Sequence, residues 1–315
     1  MAQPIVDENE FIRLCETFPT ISEVAQHLGM NERAARKRLA RLRRKYGPIA
    51  IKSTTPQSCI NYHKVTHQIH EPEPITIVAF SDAHFWPTYL LEPSDSYSIL
   101  LQILKVIKPD YIIDGGDSFD GAMISRHPPH GWQDLPSPEE ELTCNIDFHK
   151  EIAKTTPKAK KLWCWGNHDA RYDSRLAMHA GEFKGIKGFT LPDHFPDWTF
   201  AESIILNDSL FIKHSWHGGI GASRNNTLKS GKSFMTGHLH RLQATPVTDF
   251  NGTRYGIEMG TLADPRGPQF FYTGGNPTDW QQGFAVITVY GNRIVPEMVE
   301  VVNKKAIFRG KVYES

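Results

Sequence analysis

Ile75-Thr76-Ile77-Val78-Ala79-Phe80-Ser81-Asp82-Ala83-His84 is an apolar run that delivers a carboxylate and an imidazole at its end. Its first six residues are apolar or β-branched with almost no polar alternation, which predicts a strand buried on both faces of a sheet. The same arrangement recurs downstream. Tyr111-Ile112-Ile113 leads to Gly116-Asp117, and Leu162-Trp163-Cys164-Trp165 leads to Gly166-Asn167-His168-Asp169. Leu210-Phe211-Ile212-Lys213 leads to His214, and Ser233-Phe234-Met235-Thr236 leads to Gly237-His238-Leu239-His240. In each case the polar motif sits at the carboxyl end of the run. The loops that leave parallel strands converge there in open α/β sheets, so residues distant in sequence meet in space.

The residue types are carboxylates, imidazoles and one amide, which are donors for hard or borderline divalent cations. Any one of these motifs is weak on its own, because the chain has 15 histidines that offer many coincidences. All of them in this order form a specific signal. His214 directly ends its strand and is favoured as a ligand over His217, which lies three residues on and would then face substrate or solvent. Asp114 and Asp169 read as residues that brace loops or orient metal-bound histidines, a common arrangement around such sites.

Over residues 75–302 the chain resembles the calcineurin-like metallophosphoesterase superfamily, whose pattern is D-x-H, G-D, G-N-H-D/E, H and G-H-x-H. The resemblance implies an α/β fold of two sheets sandwiched together and flanked by helices, with two divalent metal ions. One ion would take Asp82, His84, Asp117 and His240; the other would take Asp117, Asn167, His214 and His238. Asp117 would bridge them, and His168 would protonate or steady the leaving oxygen. Two such cations can clamp both oxygens of an in-line displacement and acidify a water to hydroxide. Manganese is the ion the resemblance favours, although mixed oxygen and nitrogen donors also accept iron, zinc or nickel.

Finer detail narrows the branch. Gly116-Asp117-Ser118-Phe119-Asp120-Gly121 has no arginine after the second motif, and the third motif ends in Asp169 rather than glutamate. Both departures count against a serine/threonine protein phosphatase. The string is instead similar, over a few residues, to SbcD-type DNA repair nucleases.

The amino-terminal segment is different in kind. Asp7 to Thr17 predicts a first helix, with Phe11, Leu14 and Cys15 on one face. Ser22 is expected to cap a second, carrying Val24, Ala25 and Leu28 and ended by Gly29. Asn31 is expected to cap a third, with Ala34, Ala35, Leu39 and Leu42 as its apolar stripe. Helix, short glycine-containing turn, helix resembles a helix-turn-helix DNA-binding domain. The third helix carries Arg33, Arg36, Lys37, Arg38, Arg41, Arg43, Arg44 and Lys45, opposed locally only by Glu32. Because the chain as a whole is formally neutral, this block is a local asymmetry suited to phosphates. A solvated basic helix that only packs or dimerises is the plainer alternative.

The expected organisation is a helix-turn-helix domain over 1–48, a linker over 49–74 and the catalytic domain over 75–315. No apolar run is long enough to span a membrane, and the start has no signal-peptide character. Cys15, Cys59, Cys144 and Cys164 are scattered without a C-x-x-C pair, which fits reduced thiols in a cytoplasm. Cys164 is expected in the core, with Trp163 and Trp165 packing on the opposite face. Ser125-Arg126-His127-Pro128-Pro129-His130-Gly131-Trp132 is either a substrate contact or a proline-stiffened surface loop. The irregular stretch from Asp264 to Pro277 is assigned no chemistry beyond closing the sheet. The expected activity is a metal-dependent phosphodiesterase, in its most concrete form a DNA nuclease. The alternative is a phosphatase or small-nucleotide phosphodiesterase whose basic helix serves assembly or regulation.

Overall fold

A computed structural model of the chain describes residues 7–18, 20–46, 66–71, 74–127, 129 and 131–315. The chain divides into two compact units, residues 1–61 and 62–315. The first holds helices α1 (Glu8–Thr17), α2 (Ile21–His27) and α3 (Glu32–Tyr46). Asp7 caps α1 by accepting from the Glu10 amide at 2.7 Å. The cap of α2 is Thr20, whose hydroxyl accepts from the Glu23 amide at 3.2 Å. Ser22, the expected cap, lies one residue inside that helix. Asn31 does cap α3, accepting from the Arg33 amide at 2.8 Å. Phe11, Leu14, Cys15, Ile21, Val24, Ala25, Ala35, Leu39 and Leu42 form one buried cluster. Ala34, expected in that stripe, is exposed. It stands one position off the heptad-like 35, 39, 42 face, and a small side chain there gives no signal of direction.

The second unit is a two-sheet sandwich. Its strands in chain order are β1 (Thr66–Ile69), β2 (Ile75–Phe80), β3 (Tyr111–Asp114), β4 (Lys160–Cys164), β5 (Thr199–Ala201), β6 (Ser203–Leu206), β7 (Leu210–Ile212), β8 (Ser233–Thr236), β9 (Leu242–Asp249), β10 (Gly252–Met259), β11 (Gly283–Tyr290) and β12 (Arg293–Glu300). A small hairpin of β13 (Lys305–Phe308) and β14 (Lys311–Glu314) follows. One sheet runs β12-β11-β2-β3-β4-β5, and the other runs β1-β6-β7-β8-β10-β9. In the first, β2, β3, β4 and β5 are parallel, while β11 and β12 close the edge as an antiparallel hairpin. Strand β1 falls inside the interval expected as linker and pairs in parallel with β6. Residues 49–65 and 72–73 of that interval, Cys59 among them, lie outside the described residues.

The period of the strands explains the layers. Ile77 and Ala79 point between the sheets, with Ile113, Cys164, Ile204, Ile212, Met235 and Ile257. Val78 and Phe80 point the other way, with Ile112, Trp163 and Trp165. There they meet helices α4 (Asp95–Ile107) and α5 (Pro138–Thr155) through Ile99, Leu100, Ile103, Phe148 and Ile152. A strand apolar on consecutive residues has to bury both faces, and this one does. Helix α5 begins with a reciprocal Ser137–Glu140 capping box and Pro138 in its first turn. Two further helices, α6 (Ala170–His179) and α7 (Ala222–Ser230), complete the unit. Among the described residues no helix is long and apolar enough to cross a membrane.

Candidate metal centre

The loops after β2, β3, β4, β7 and β8 bring the five motifs to one place. Asp82, His84 and His240 form one cluster, and Asp117, His214 and His238 a second, with candidate ligand atoms in each all within 4.8 Å of one another. Asn167 joins the second through its carbonyl oxygen, 3.2 Å from His214 Nε2. His217 is in neither cluster; its Nε2 lies 3.2 Å from Lys229 Nζ.

The backbone at the site is forced. Asp82, His84, Asp117, His238 and His240 all adopt positive φ, between 39° and 70°. Such conformations cost non-glycine residues energy and persist where the surroundings over-determine them. Here the loops are pinned by amides: Asp82 N donates to Gly116 O at 2.9 Å, and His84 N donates to Asp117 O at 3.0 Å. His238 N donates to Asp82 Oδ2 at 2.8 Å, and His168 N to Asp117 Oδ1 at 2.7 Å. Two glycines are required by close approach. A Cβ on Gly166 would stand 2.1 Å from Asp117 Oδ1, and one on Gly237 would stand 1.9 Å from Ser81 Oγ.

Asp169 and Asp114 brace these loops as expected. Asp169 accepts from the amides of Asp117, Phe119 and Gly166 and from Trp163 Nε1, all at 2.8–3.0 Å. Burial and the neighbouring Asp117 and Asp114 push its carboxyl up to about 7. Four donors aimed at its two oxygens nevertheless favour the ionised form. Asp114 accepts from Gly116 N, Ser118 Oγ and His149 Nε2.

Two of the imidazoles have one nitrogen committed. His84 Nδ1 donates to Asp120 Oδ1 at 2.7 Å, because a carboxylate can only accept. That leaves His84 Nε2 with a free lone pair turned inward. His214 Nδ1 donates to the Gly115 carbonyl at 2.8 Å, which directs Nε2 at Asp117 Oδ2, 3.1 Å away. Burial disfavours a charged imidazole there, yet Asp117 outweighs it and pushes His214 up to about 10. The direction in which Nε2 could meet a cation is therefore the one it turns toward Asp117. Asp82 is subject to the same opposition: burial raises its carboxyl, and His240 and His214 bring it below the ordinary range.

The donor set fits a metal. Asp82 Oδ1 and His84 Nε2 are buried and have no hydrogen-bond partner among the described residues. Unpartnered buried polar atoms are costly, and two of them converging with His240 Nε2 form an electron-rich cradle. Oxygen and nitrogen donors together suit manganese, iron or zinc alike.

Asp120 lies within the second motif's string, yet the sequence gives no reason to single it out. Its Oδ1 also contacts His168 Nδ1 at 3.0 Å, so one carboxylate oxygen orients both His84 and His168. Arg171 adds a donor to His168 Nε2 at 3.1 Å. Burial pulls His168 down, but Asp117 and Asp120 outweigh it and raise its pKa above the ordinary value. The stretch assigned no chemistry also reaches the site. Phe270 packs edge-on against His84 and His240 at 5.2 and 5.5 Å, and Trp280, just beyond that stretch, lies 4.4 Å from His240.

The basic residues of α3 lie in the first unit and are more paired than expected. Arg36 bonds Glu32, and Glu8 of α1 takes Arg41 and Lys45 at 3.4 and 2.7 Å. Glu32 is therefore not the sole opposing charge. Arg38 stacks over Phe11 at 4.7 Å, and Arg43 also has an interaction partner. Arg33, Lys37 and Arg44 have no side-chain hydrogen bond or ion pair among the described residues.

The calcineurin-like phosphoesterase family matches residues 75–256, and the chain belongs to that family. It is similar to the Gene 54 protein of Mycobacterium phage D29, 27% identical over 233 residues, 66% of this chain and 88% of that protein. With the Gene 54 protein of Mycobacterium phage L5 it is 30% identical over 169 residues, 47% of this chain and 64% of that protein. Among solved structures it is similar to vacuolar protein sorting 29 of Cryptosporidium parvum, with 13% identity and TM-score 0.41, covering 78% of this chain and 97% of that one. It is also similar to a dimetal phosphatase of Danio rerio, with 11% identity and TM-score 0.40, covering 72% of this chain and 96% of that one.

Proposed function

We propose that this protein is a metal-dependent phosphodiesterase acting on DNA, with the first unit serving as a helix-turn-helix that engages the duplex. The observation that carries the catalytic half is the adjacency of two carboxylate–imidazole clusters to the Asp120–His168 pair. Asp82, His84, Asp117 and His240 would hold one divalent ion, and Asp117, Asn167, His214 and His238 the other, manganese being the favoured metal. When bound, the ions supply Lewis-acid stabilisation of phosphoryl oxygens and a lowered pKa for water.

The chain's own groups do the rest. His168 is the proton donor to the leaving oxygen, and Asp120 holds its ring and favours its charged form. A positioned general acid of this kind is worth about 10²–10⁴-fold in rate. An incoming phosphoryl anion draws the Arg171 guanidinium from His168 Nε2, which frees that nitrogen to carry the proton.

What supports DNA as the substrate is the outward face of α3. At 3.6 residues per turn, Arg33, Lys37, Arg41 and Arg44 fall opposite the buried Ala35, Leu39 and Leu42. The Glu8 and Glu32 pairs are exposed and weak, so phosphates can displace them. Removing one phosphate-binding cation from this face lowers the slope of log affinity against log salt by about 0.9.

The test is manganese-dependent hydrolysis of labelled duplex and single-stranded DNA, with Asp117→Ala and His168→Ala as controls. Cleavage abolished in both variants is the expected result. Hydrolysis of a simple phosphodiester or monoester without any DNA cleavage would leave a phosphatase or small-nucleotide phosphodiesterase in its place.

A further inference from the structure

Between β10 and β11 the chain leaves the sheets for residues 260–282, and both feet of this excursion are tied to the metal-site motifs. Thr261 Oγ1 donates to the Asp82 carbonyl at 2.6 Å, and Gln281 N donates to the His240 carbonyl at 2.9 Å. Ser94 and Ser96 hydroxyls both donate to the Leu262 carbonyl, and Gln269 Nε2 donates to Tyr89 Oη at 2.9 Å. The base of the excursion is therefore pinned by hydrogen bonds to the loops that carry the ligands and to Ser94, Ser96 and Tyr89.

Its aromatic rings build outward in layers. Phe270 is buried against His84 and His240, and Trp280 packs 4.9 Å from Phe270. Tyr272 forms the outer layer, 6.3 Å from Phe270 and 6.5 Å from Trp280, and remains 56% exposed. Burial and the carboxylates of Asp120, Asp82 and Asp117 push its phenol up to about 12, so the ring stays neutral. The inner rings have a packing reason for their positions. The outer ring has none that uses its open face. The carbonyl of Pro268, at the start of the same turn, also accepts from Gln133 Nε2, which anchors the loop bearing the fully exposed Trp132 beside it.

A pair of cations recognises a phosphoryl group but not what is attached to it. An aromatic face fixed beside that pair recognises a base of any identity, because every base has a π-face. We infer that Tyr272 is a substrate-positioning residue, on whose exposed ring the nucleobase next to the scissile phosphate stacks, with Phe270 and Trp280 as rigid backing. This rests on the phosphodiesterase reading above and adds the substrate class: nucleoside-bearing diesters over simple ones. Because the wall stands on the His84–His240 side, the stacked base lies on that side of the phosphate.

The experiment compares thymidine 5′-(p-nitrophenyl phosphate) with methyl p-nitrophenyl phosphate, which share a leaving group and differ in the base. Tyr272→Ala is expected to raise KM about tenfold for the thymidine ester, within the range that base–aromatic stacking gives. Its kcat and the KM of the methyl ester stay put, Tyr272→Phe restores the wild-type value, and Phe271→Ala on the same turn changes nothing. Titrating thymidine 5′-monophosphate by tryptophan fluorescence should show the same tenfold weakening in binding. An equal KM rise for both esters, or no rise at all, overturns the stacking. A wild type that hydrolyses neither ester sinks the phosphodiesterase reading instead. The titration alone then decides, and an affinity unmoved by Tyr272→Ala overturns the inference.

Discussion

His84 and His214 occupy matching places in the two halves of the site, yet their rings are oriented by different means. His214 donates to the main-chain carbonyl of Gly115, and its neighbour Asp117 is held by the amide of His168. His84 donates to the Asp120 side chain, which also holds the candidate proton donor His168. One half is thus fixed by the course of the backbone and the other by a shared carboxylate. Metal holding and proton delivery would therefore be coupled through one shared side chain on the His84 side, and through the His168 amide and the Asp117 charge on the His214 side.

The largest effect is expected from removing Asp117, the carboxylate expected to serve both ions. Asp117→Ala should lower phosphoester hydrolysis by more than about 100-fold, beyond the loss of an orienting partner alone. Elemental analysis should find less bound metal. Activity within tenfold of wild type would show that the Asp82 half suffices by itself.

Asp120→Asn attacks the His84 half. A loss of about 10–100-fold is expected, the usual consequence of removing the charge that orients a metal-bound histidine. The pH profile sharpens the point. Asp120 helps raise His168, so its neutralisation lowers that pKa. The protonated donor is then lost at lower pH, and the alkaline limb of kcat moves down. An unmoved limb would separate His168 from Asp120 and dissolve the proposed coupling.

The smallest effects come from paired glycine substitutions, one per half. Gly166→Ala places a Cβ against Asp117 Oδ1, and Gly237→Ala places one against Ser81 Oγ and, at 2.7 Å, Asp82 Oδ2. Overpacking of this kind costs about 1–3 kcal/mol, readable as lowered thermal midpoints. If the halves are independently supported, each variant should weaken one metal-binding step in a titration and spare the other. Identical titrations would mean that the two halves yield together.

Much of this architecture was legible in the sequence because its signals are local. Continuous apolar runs marked β2, β3, β4, β7 and β8, and the ligand residues stand directly at their ends. The same locality located three amino-terminal helices, although a threonine two residues earlier took the cap read for Ser22. What escaped depends on interactions between residues far apart in the chain. Asp120 reaches His84 across 36 residues and His168 across 48, and nothing in its own neighbourhood signals that it holds two histidines. Phe270 and Trp280 sit in a stretch without periodicity, and only the fold lays them on His84 and His240. Strand β1 reads Thr-His-Gln-Ile, with no apolar pattern; its partner β6 lies 137 residues away.

The left-handed backbone at Asp82, His84, Asp117, His238 and His240 has a consequence for portability. Residues in sparsely populated conformations cost of order 1–3 kcal/mol each, and only a surrounding structure can hold them there. A free peptide copied from any one of these motifs would relax to ordinary extended or helical angles and lose the donor directions. The motifs are signatures of the site without being modules of it. Grafting them onto another scaffold would have to bring the sandwich along.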